Sequence, residues 1–192
     1  LYKRTGRGTR LLAAAVAVDV VALVGPLGRG FASPTRPGPA LLVAGGTGIA
    51  SVFELARRLS AERPVEVLLG ARRADDLMAV DDFAALDVGL SIATEDGSRG
   101  ERGLVTALLE RRLAAEPPAG VYACGPTAMM QRCAEIAAGR AVPCLVSLEN
   151  HMACGFGVCL GCAAPHRRGG YALVCREGPV FDAGDVVWSG LP

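Results

Sequence analysis

Four cysteines, Cys154, Cys159, Cys162 and Cys175, lie in the stretch ENHMACGFGVCLGCAAPHRRGGYALVC that begins at Glu149. The first three are spaced C-x4-C-x2-C, the local spacing of a plant-type [2Fe–2S] site, and the fourth follows after a short polar excursion. Two irons need four thiolates that converge within a few ångströms. Gly155, Gly157 and Gly161 allow the backbone to curl around such a core, because a residue without Cβ takes φ > 0 readily. Their N–H groups can then face the cluster sulfides and offset its negative charge. Zinc is a competing reading, but structural zinc sites usually pair short Cys knuckles. Disulfides are another, against an odd total of seven cysteines and a chain that nothing marks as secreted. Ordinary buried thiols are a third.

Two glycine turns carry a different chemistry. Gly45-Gly46-Thr47-Gly48-Ile49-Ala50 follows the apolar run Ala40–Ala44 and precedes a helical stretch from about 50 to 61. Strand, glycine turn and helix is the layout that places a nucleotide pyrophosphate on a helix N-terminus. It lacks the strict G-x-G-x-x-G fingerprint, so a tight turn without a ligand remains the alternative. Gly6-Arg7-Gly8-Thr9 precedes a predicted helix over about 10–17 and is a weaker phosphate cradle, since Thr before a helix often serves only as an N-cap. Cys133 and Cys144 stand in apolar settings and read as packed thiols. His151 and His166 lack metal-ligand spacing, and Met129 and Met130 read as helix packing.

The elements that must position these groups alternate. Strands are expected at 40–44, 65–69, 88–93, 121–124 and 143–148, with helices between them at 50–61, 74–83, 103–114 and 127–138. Five strands with intervening helices imply an α/β fold with an open parallel sheet covered on both faces, whose ligands bind at the carboxyl ends of the strands. Gly45–Ala50, 70–72, Thr94–Ser98 and 124–127 all fall at that edge. A short strand is expected at 20–24 and a Pro-rich linker at 33–39. After Leu148 the alternation stops, and a small β-rich cap is expected around the cysteines, with Arg167-Arg168 on a solvated hairpin tip.

Composition narrows the classes. With 51% hydrophobic residues in 192, a substantial core can form, and a net charge of +1 gives no argument for nucleic acid or an acidic membrane surface. No apolar run is long enough to span a bilayer. Leu11–Val24 with Arg4, Arg7 and Arg10 imitates a signal peptide, but Asp19 interrupts it and no clear cleavage site follows. The expected location is cytoplasmic. Leu1 opens in what reads as a strand, so an upstream segment is expected.

Taken together, these motifs resemble the electron-transfer subunits of class 1B dihydroorotate dehydrogenases, within the ferredoxin reductase-like superfamily. LYKRTGRGT looks like the strand and phosphate loop that end a flavin site, and GPLGRGF like the loop that joins an FAD-binding β-barrel to the nucleotide domain. AGGTGIA, TEDGSRGERG and ACGPTAMM look like nucleotide-domain motifs. SLENHMACGFGVCLGC looks like the cluster signature and CREGPVF like the segment with the fourth ligand. The resemblance implies three parts: a C-terminal remnant of the FAD-binding β-barrel with its linker over 1–38, an NAD-binding domain over 39–148 and a [2Fe–2S] domain over 149–192. The family's Arg-Pro-x-Ser flavin motif is absent from this sequence. The resemblance further implies Leu1, Tyr2 and Lys3 along FAD, and Gly8 and Thr9 on its pyrophosphate. Gly46, Thr47 and Gly48 would meet the pyridine nucleotide, Cys124 and Gly125 would lie near the nicotinamide, and the four cysteines would hold the cluster. No side chain need act as an acid or base. Cys124 reads equally well as a small residue at a strand end. Ser51 stands where many relatives carry proline, with little effect expected.

The function so implied is electron relay between NAD(H), FAD and the [2Fe–2S] cluster, to or from the FMN of a dihydroorotate dehydrogenase catalytic subunit in a hetero-oligomer of pyrimidine biosynthesis. The same motifs occur in reductase subunits of cytosolic hydrogenases, sulfite reductases and electron-bifurcating ferredoxin–NADP reductases. A zinc-stabilised nucleotide-binding module is the reading from another class. Glu95 and Asp96 favour NADH by repelling a 2′-phosphate, whereas Arg72 and Arg99 could reach the same place, so NADH against NADPH stays open.

Overall fold

A computed structural model describes residues 2–191. Its centre is the parallel sheet β1 (Ala40–Gly45), β2 (Val65–Ala71), β3 (Gly89–Thr94), β4 (Glu101–Arg102), β5 (Gly120–Cys124) and β6 (Cys144–Ser147). A seventh strand, β9 (Val180–Asp182), pairs antiparallel with β6, so the spatial order is β4-β3-β2-β1-β5-β6-β9. All five expected strands are present, and two short edge strands extend the sheet. Chain direction reverses its progress across the sheet between β1 and β5. That switch point is where α/β sheets open a crevice for ligands.

Burial explains why these runs are strands. In β1 every residue is buried, and side chains alternate between two cores. Leu41 and Val43 face one core with Val105, Leu109, Met130 and Cys133. Leu42 and Ala44 face the other with Ile49, Val52, Leu59 and Phe83. Helices α2 (Ile49–Ser60) and α3 (Val80–Ala84) therefore cover one face, and α4 (Val105–Ala115) and α5 (Thr127–Ala138) the other. Cys133 and Cys144 are buried in the first of these cores, where desolvation pushes the Cys133 thiol up to about 12. They are packing groups, as expected.

One polar pair ties a helix to the sheet. Arg112 of α4 forks onto the Glu66 carboxylate of β2, with Nε at 2.7 and 2.9 Å and Nη2 at 2.6 Å. Its remaining Nη1 donates to the Glu116 carbonyl at 2.8 Å, and the Glu66 fork raises the guanidinium's already high pKa. A bidentate, partly buried pair outweighs a surface ion pair. Arg112→Met is expected to lower stability by about 1–3 kcal/mol in urea unfolding, whereas Arg57→Met, which breaks an exposed pair with Glu54, should leave the unfolding midpoint unchanged.

Three local expectations need correction. The first helix is α1 (Arg7–Ala14), three residues earlier than expected. The Thr9 hydroxyl accepts from the amides of Thr5 at 2.9 Å and Gly6 at 3.1 Å, so it closes the first turn from inside the helix and does not precede it. The expected strand at 20–24 does not form: this stretch lies on the surface, Val20 is 98% exposed, and no neighbouring strand supplies ladder hydrogen bonds. Among the described residues, 2–27 thus contain helix and irregular chain but no barrel strand. The expected helix over 74–83 is broken, because Leu77 is extended and Ala79 takes φ +56°. It leaves a single turn at Ala74–Asp76 and the short α3.

Beyond β6, the chain forms the loop 148–162, the hairpin β7 (Ala163–Pro165) and β8 (Tyr171–Leu173), and then β9. This β-rich part is not a detached cap. β9 belongs to the main sheet, and Cys162, Ala164, Val174, Cys175 and Val186 are buried in the core beside α4 and α5. Arg168 at the hairpin tip is not simply solvated, since Nε and Nη2 grip the Asp185 carboxylate at 3.1 and 2.9 Å. His166 stands on the same carboxylate at 3.8 Å. No helix among the described residues is long and apolar enough to cross a membrane.

Candidate functional site

At the carboxyl edge of the sheet, two turns are packed backbone to backbone. The turn after β1 passes through Gly45, Gly46, Thr47 and Gly48 into α2, and the turn after β5 runs through Gly125 and Pro126 into α5. A side chain at Gly48 would strike the Cys124 carbonyl and would stand 2.6 Å from the Gly125 amide nitrogen. One at Gly125 would lie 3.0 Å from the Gly45 carbonyl oxygen. Glycine is required at both because the turns approach closer than any Cβ allows. Gly46 has φ +57° and open space where a side chain would be, so its face of the turn is accessible. α2 begins directly after this turn at the switch point of the sheet, and a helix N-terminus in that place suits a pyrophosphate.

The sequence expectation for Cys124 meets a fully buried side chain. Its thiol donates to the Ser147 carbonyl at 3.4 Å and has the Ser51 hydroxyl beside it, while burial pushes its pKa up. Cys124 thus reaches across to β6 and holds the turn by its backbone. Ser51 has a polar partner here that proline could not supply.

The third turn at this edge is Thr94–Gly100. Thr94 is buried and joins Arg99 twice: its hydroxyl donates to the Arg99 carbonyl at 2.8 Å and accepts from the Arg99 amide at 3.0 Å. Asp96 accepts from the Ser98 hydroxyl at 2.6 Å and amide at 2.9 Å, which holds its carboxyl below its usual range. Ser98 then accepts from the Ala74 amide at 2.7 Å. Asp96 is therefore a pre-set anion at the crevice rim, and spacing alone gave no signal for the Ser98 bridge.

Of the flavin-side residues, Leu1 lies outside those described. Tyr2, Lys3 and Gly8 are exposed, and Gly8 and Thr9 sit in the first turn of α1. The Thr9 hydroxyl also donates to the Gly6 carbonyl at 3.2 Å, so local bonds already engage it.

The four cysteines come together at the far side of β6 as two pairs. Cys154 lies beside Cys159, whose amide at 3.5 Å and that of Val158 at 3.4 Å donate to the Cys154 sulfur. These and the Phe156 amide pull the Cys154 thiol down to about 6. Cys162 lies beside Cys175, its sulfur accepting from the Cys175 amide at 3.4 Å, and the contact between the two thiols raises that of Cys175. Cys154 is near enough to act on Cys175 as well. The Gly161 amide donates to Cys159 at 3.4 Å. Gly155, Gly157 and Leu160 all take positive φ, at +77°, +91° and +58°, which bends the loop until its amides point inward. Among the described residues no three potential ligands close on one point. Two thiol pairs ringed by amides fit a two-iron cluster, with two thiolates for each iron, better than a mononuclear zinc site.

Glu177 supports the fourth cysteine. Its carboxylate accepts from the Leu173 amide at 2.6 Å, while the Leu173 carbonyl accepts from the amides of Arg176 and Glu177. This closes the turn that carries Cys175. A carboxylate two residues beyond a cysteine gives no recognisable motif, and sequence reasoning missed it. Glu177→Ala is expected to speed loss of bound iron to a chelator by about 10–100-fold, with secondary structure unchanged by circular dichroism.

Comparison with known proteins agrees with this arrangement. Residues 149–187 match the family described as the iron–sulfur cluster binding domain of dihydroorotate dehydrogenase B, and 42–135 match the oxidoreductase NAD-binding domain. The chain is 45% identical over 164 residues to the probable dihydroorotate dehydrogenase B (NAD(+)) electron transfer subunit of Methanopyrus kandleri, covering 85% of this chain and 60% of that protein. It is 38% identical to the corresponding subunit of Desulforamulus reducens and 40% to that of Geobacillus kaustophilus, covering 98% and 97% of this chain and in each case 73% of the relative. Among solved structures, that of an NADH-dependent reduced ferredoxin-NADP oxidoreductase, described for flavin-based electron bifurcation, superposes with a TM-score of 0.86 at 35% identity. The match covers 99% of this chain and 68% of that one. The ferredoxin reductase of carbazole 1,9a-dioxygenase shares the fold, with a TM-score of 0.52 at 22% identity over 59% of this chain and 37% of that one. With identities near 40% across nearly its whole length, the chain belongs to the family of dihydroorotate dehydrogenase B electron transfer subunits.

Proposed function

We propose that this chain relays electrons between NAD(H), FAD and a [2Fe–2S] cluster, to or from the FMN of a dihydroorotate dehydrogenase catalytic subunit, in the cytoplasm. The observation that carries the proposal is the pair of thiol pairs packed onto the same sheet whose switch point holds the glycine crevice. When bound, the cofactors would supply the redox chemistry: hydride exchange with the nicotinamide, and single-electron transfer through the cluster with release of the flavin's protons. The protein's part is placement. Gly46, Thr47 and Gly48 present backbone to the nucleotide's phosphates, and Gly125 keeps the neighbouring turn close enough to wall the crevice. Tyr2, Lys3, Gly8 and Thr9, with Leu1, serve the flavin side. Cys154, Cys159, Cys162 and Cys175 would hold the cluster, and the loop amides would lower the cost of its charge. In orotate synthesis the same residues would serve electrons that run from the catalytic subunit toward a nucleotide held at the crevice.

The cluster loop has the character of a docking edge. Phe156, Val158 and Leu160 are 52%, 72% and 62% exposed, an apolar rim that water does not favour. Leu160 is held at φ +58°, a conformation that costs a leucine about 1 kcal/mol, so the backbone is strained where this side chain is displayed. The test is co-purification from cells that carry both subunits. The wild-type chain should retain an FMN-containing partner, and Val158→Glu should weaken that association at least about 10-fold with iron content unchanged. Equal retention by the variant would remove the rim from the interface, and retention of a different flavoprotein would overturn the assignment. A second reading is a reductase subunit of a bifurcating ferredoxin–NADP reductase, supported by the superposition with such an enzyme. The match of 149–187 to the dihydroorotate dehydrogenase B cluster domain favours the first.

A further inference from the structure

The segment that leads from the flavin side to β1 has the composition of a spacer, with three prolines between Ser33 and Pro39. It does not behave as one. On the nucleotide side, Arg58 in the last turn of α2 and Arg63 in the turn that follows it hold the segment. Arg58 donates through Nη2 to the Phe31 carbonyl at 2.9 Å and through Nη1 to the Ser33 hydroxyl at 3.3 Å. Arg63 donates through Nη1 to the carbonyls of Arg36 at 3.0 Å and Gly38 at 3.4 Å, and through Nη2 to that of Pro34 at 3.3 Å. Its Nε is buried with no acceptor, so this guanidinium gives up hydration for the sake of the contact. The Phe31 ring meets Tyr122 of β5 edge-on, with centroids 5.7 Å apart.

The same segment is fastened on the cluster side. The Arg29 amide donates to the Gly178 carbonyl at 2.5 Å, and the Arg29 carbonyl accepts from the Val180 amide at 3.4 Å. Gly28 takes φ +69°, and a side chain there would run into the Gly178 carbonyl. Leu27 lies against Gly155 in the cysteine loop, with its Cδ1 3.5 Å from where a Cβ would stand. Gly178 follows the fourth cysteine by three residues. One short stretch is thus bound to both functional ends of the molecule: to α2, whose first turn is the nucleotide crevice, and to the backbone that carries Cys175.

We propose that Arg58 and Arg63 are positioning residues that convert residues 28–38 into a rigid strap, which fixes the flavin-side segment relative to both the nucleotide crevice and the cysteine loop. The inference rests on the relay reading for its purpose, and on these contacts for its existence. Arginine is required at 63 because one planar guanidinium spans three carbonyls, whereas a lysine ammonium is a single point donor. Hydride transfer demands close, aligned approach, and a displacement of about 1 Å at a distance from the chemistry can cost about 100-fold in rate. Nucleotide affinity is set within the crevice and should not depend on the strap.

The test uses the holoprotein with Arg63→Ala, Arg63→Lys and Arg58→Ala. Chymotrypsin should cut the Phe31–Ala32 bond at least about 10-fold faster in the alanine variants, read by mass spectrometry, because cleavage follows the population of the opened segment. In stopped flow, hydride transfer from NADH to the flavin should fall by about 10–100-fold while the NAD+ dissociation constant stays within about twofold. Arg63→Lys should recover little of either. An unchanged cleavage rate, or a loosened strap with an unchanged hydride rate, would overturn the proposal. Should Arg63→Ala fail to fold, Arg58→Ala, at an exposed position, decides the matter through the same two rates. A preparation with no flavin would defeat the relay reading instead, and the cleavage rate would then decide the strap alone.

Discussion

Cys159→Ser is expected to remove electron exit and leave nucleotide binding in place. Cys159 is exposed at the tip of its loop, so its sulfur contributes little to the core, unlike the buried Cys162 and Cys175. A serine hydroxyl is a poor ligand for iron that prefers thiolate. Its partner Cys154 would be left as half of a pair. The variant should lose most of its iron and sulfide, and NADH-driven reduction of a one-electron acceptor should fall by more than about 100-fold. The NAD+ dissociation constant, measured by titration calorimetry, should stay within about twofold, because the crevice lies on the other side of β6. Joint loss of acceptor reduction and nucleotide binding would mean that the cluster is a folding staple for the whole chain.

The second large effect is at the crevice. Gly48→Ala would drive a methyl group into the Cys124 carbonyl, and backbone cannot move aside as a flexible side chain can. The two turns must separate, which should cost about 1–3 kcal/mol of stability and raise the NAD+ dissociation constant at least about 10-fold. Gly46→Ala is the informative contrast. Its Cβ would meet nothing within 4 Å, and the only penalty is the φ of +57°, about 1–2 kcal/mol. If Gly48→Ala binds NAD+ as tightly as wild type, the packed pair of turns is not the nucleotide site.

Much of this architecture was legible in the sequence because the signals were local. Each central strand is a short apolar run ending in a turn, and β1 with its glycines states both burial and crevice. The C-x4-C-x2-C spacing placed three of the sulfurs, and the structure adds how they pair. What could not be read depends on contacts between distant residues. β9 joins the main sheet through pairing with β6, although the whole cysteine loop and hairpin lie between them in the chain. The strand expected at 20–24 had the right residue types but no neighbour. Thr9 has the residue type of a helix start, yet its hydroxyl works from inside the first turn. Glu177, Ser98 and the arginine strap act through backbone groups that no spacing rule reports.

The most direct test of the relay is an anaerobic NADH titration of the purified holoprotein, followed by electron paramagnetic resonance and by metal and sulfide analysis. The account predicts about two irons and two sulfides per chain and a reduced [2Fe–2S] signal that grows as NADH is added. A colourless protein with one zinc per chain and no signal would contradict it.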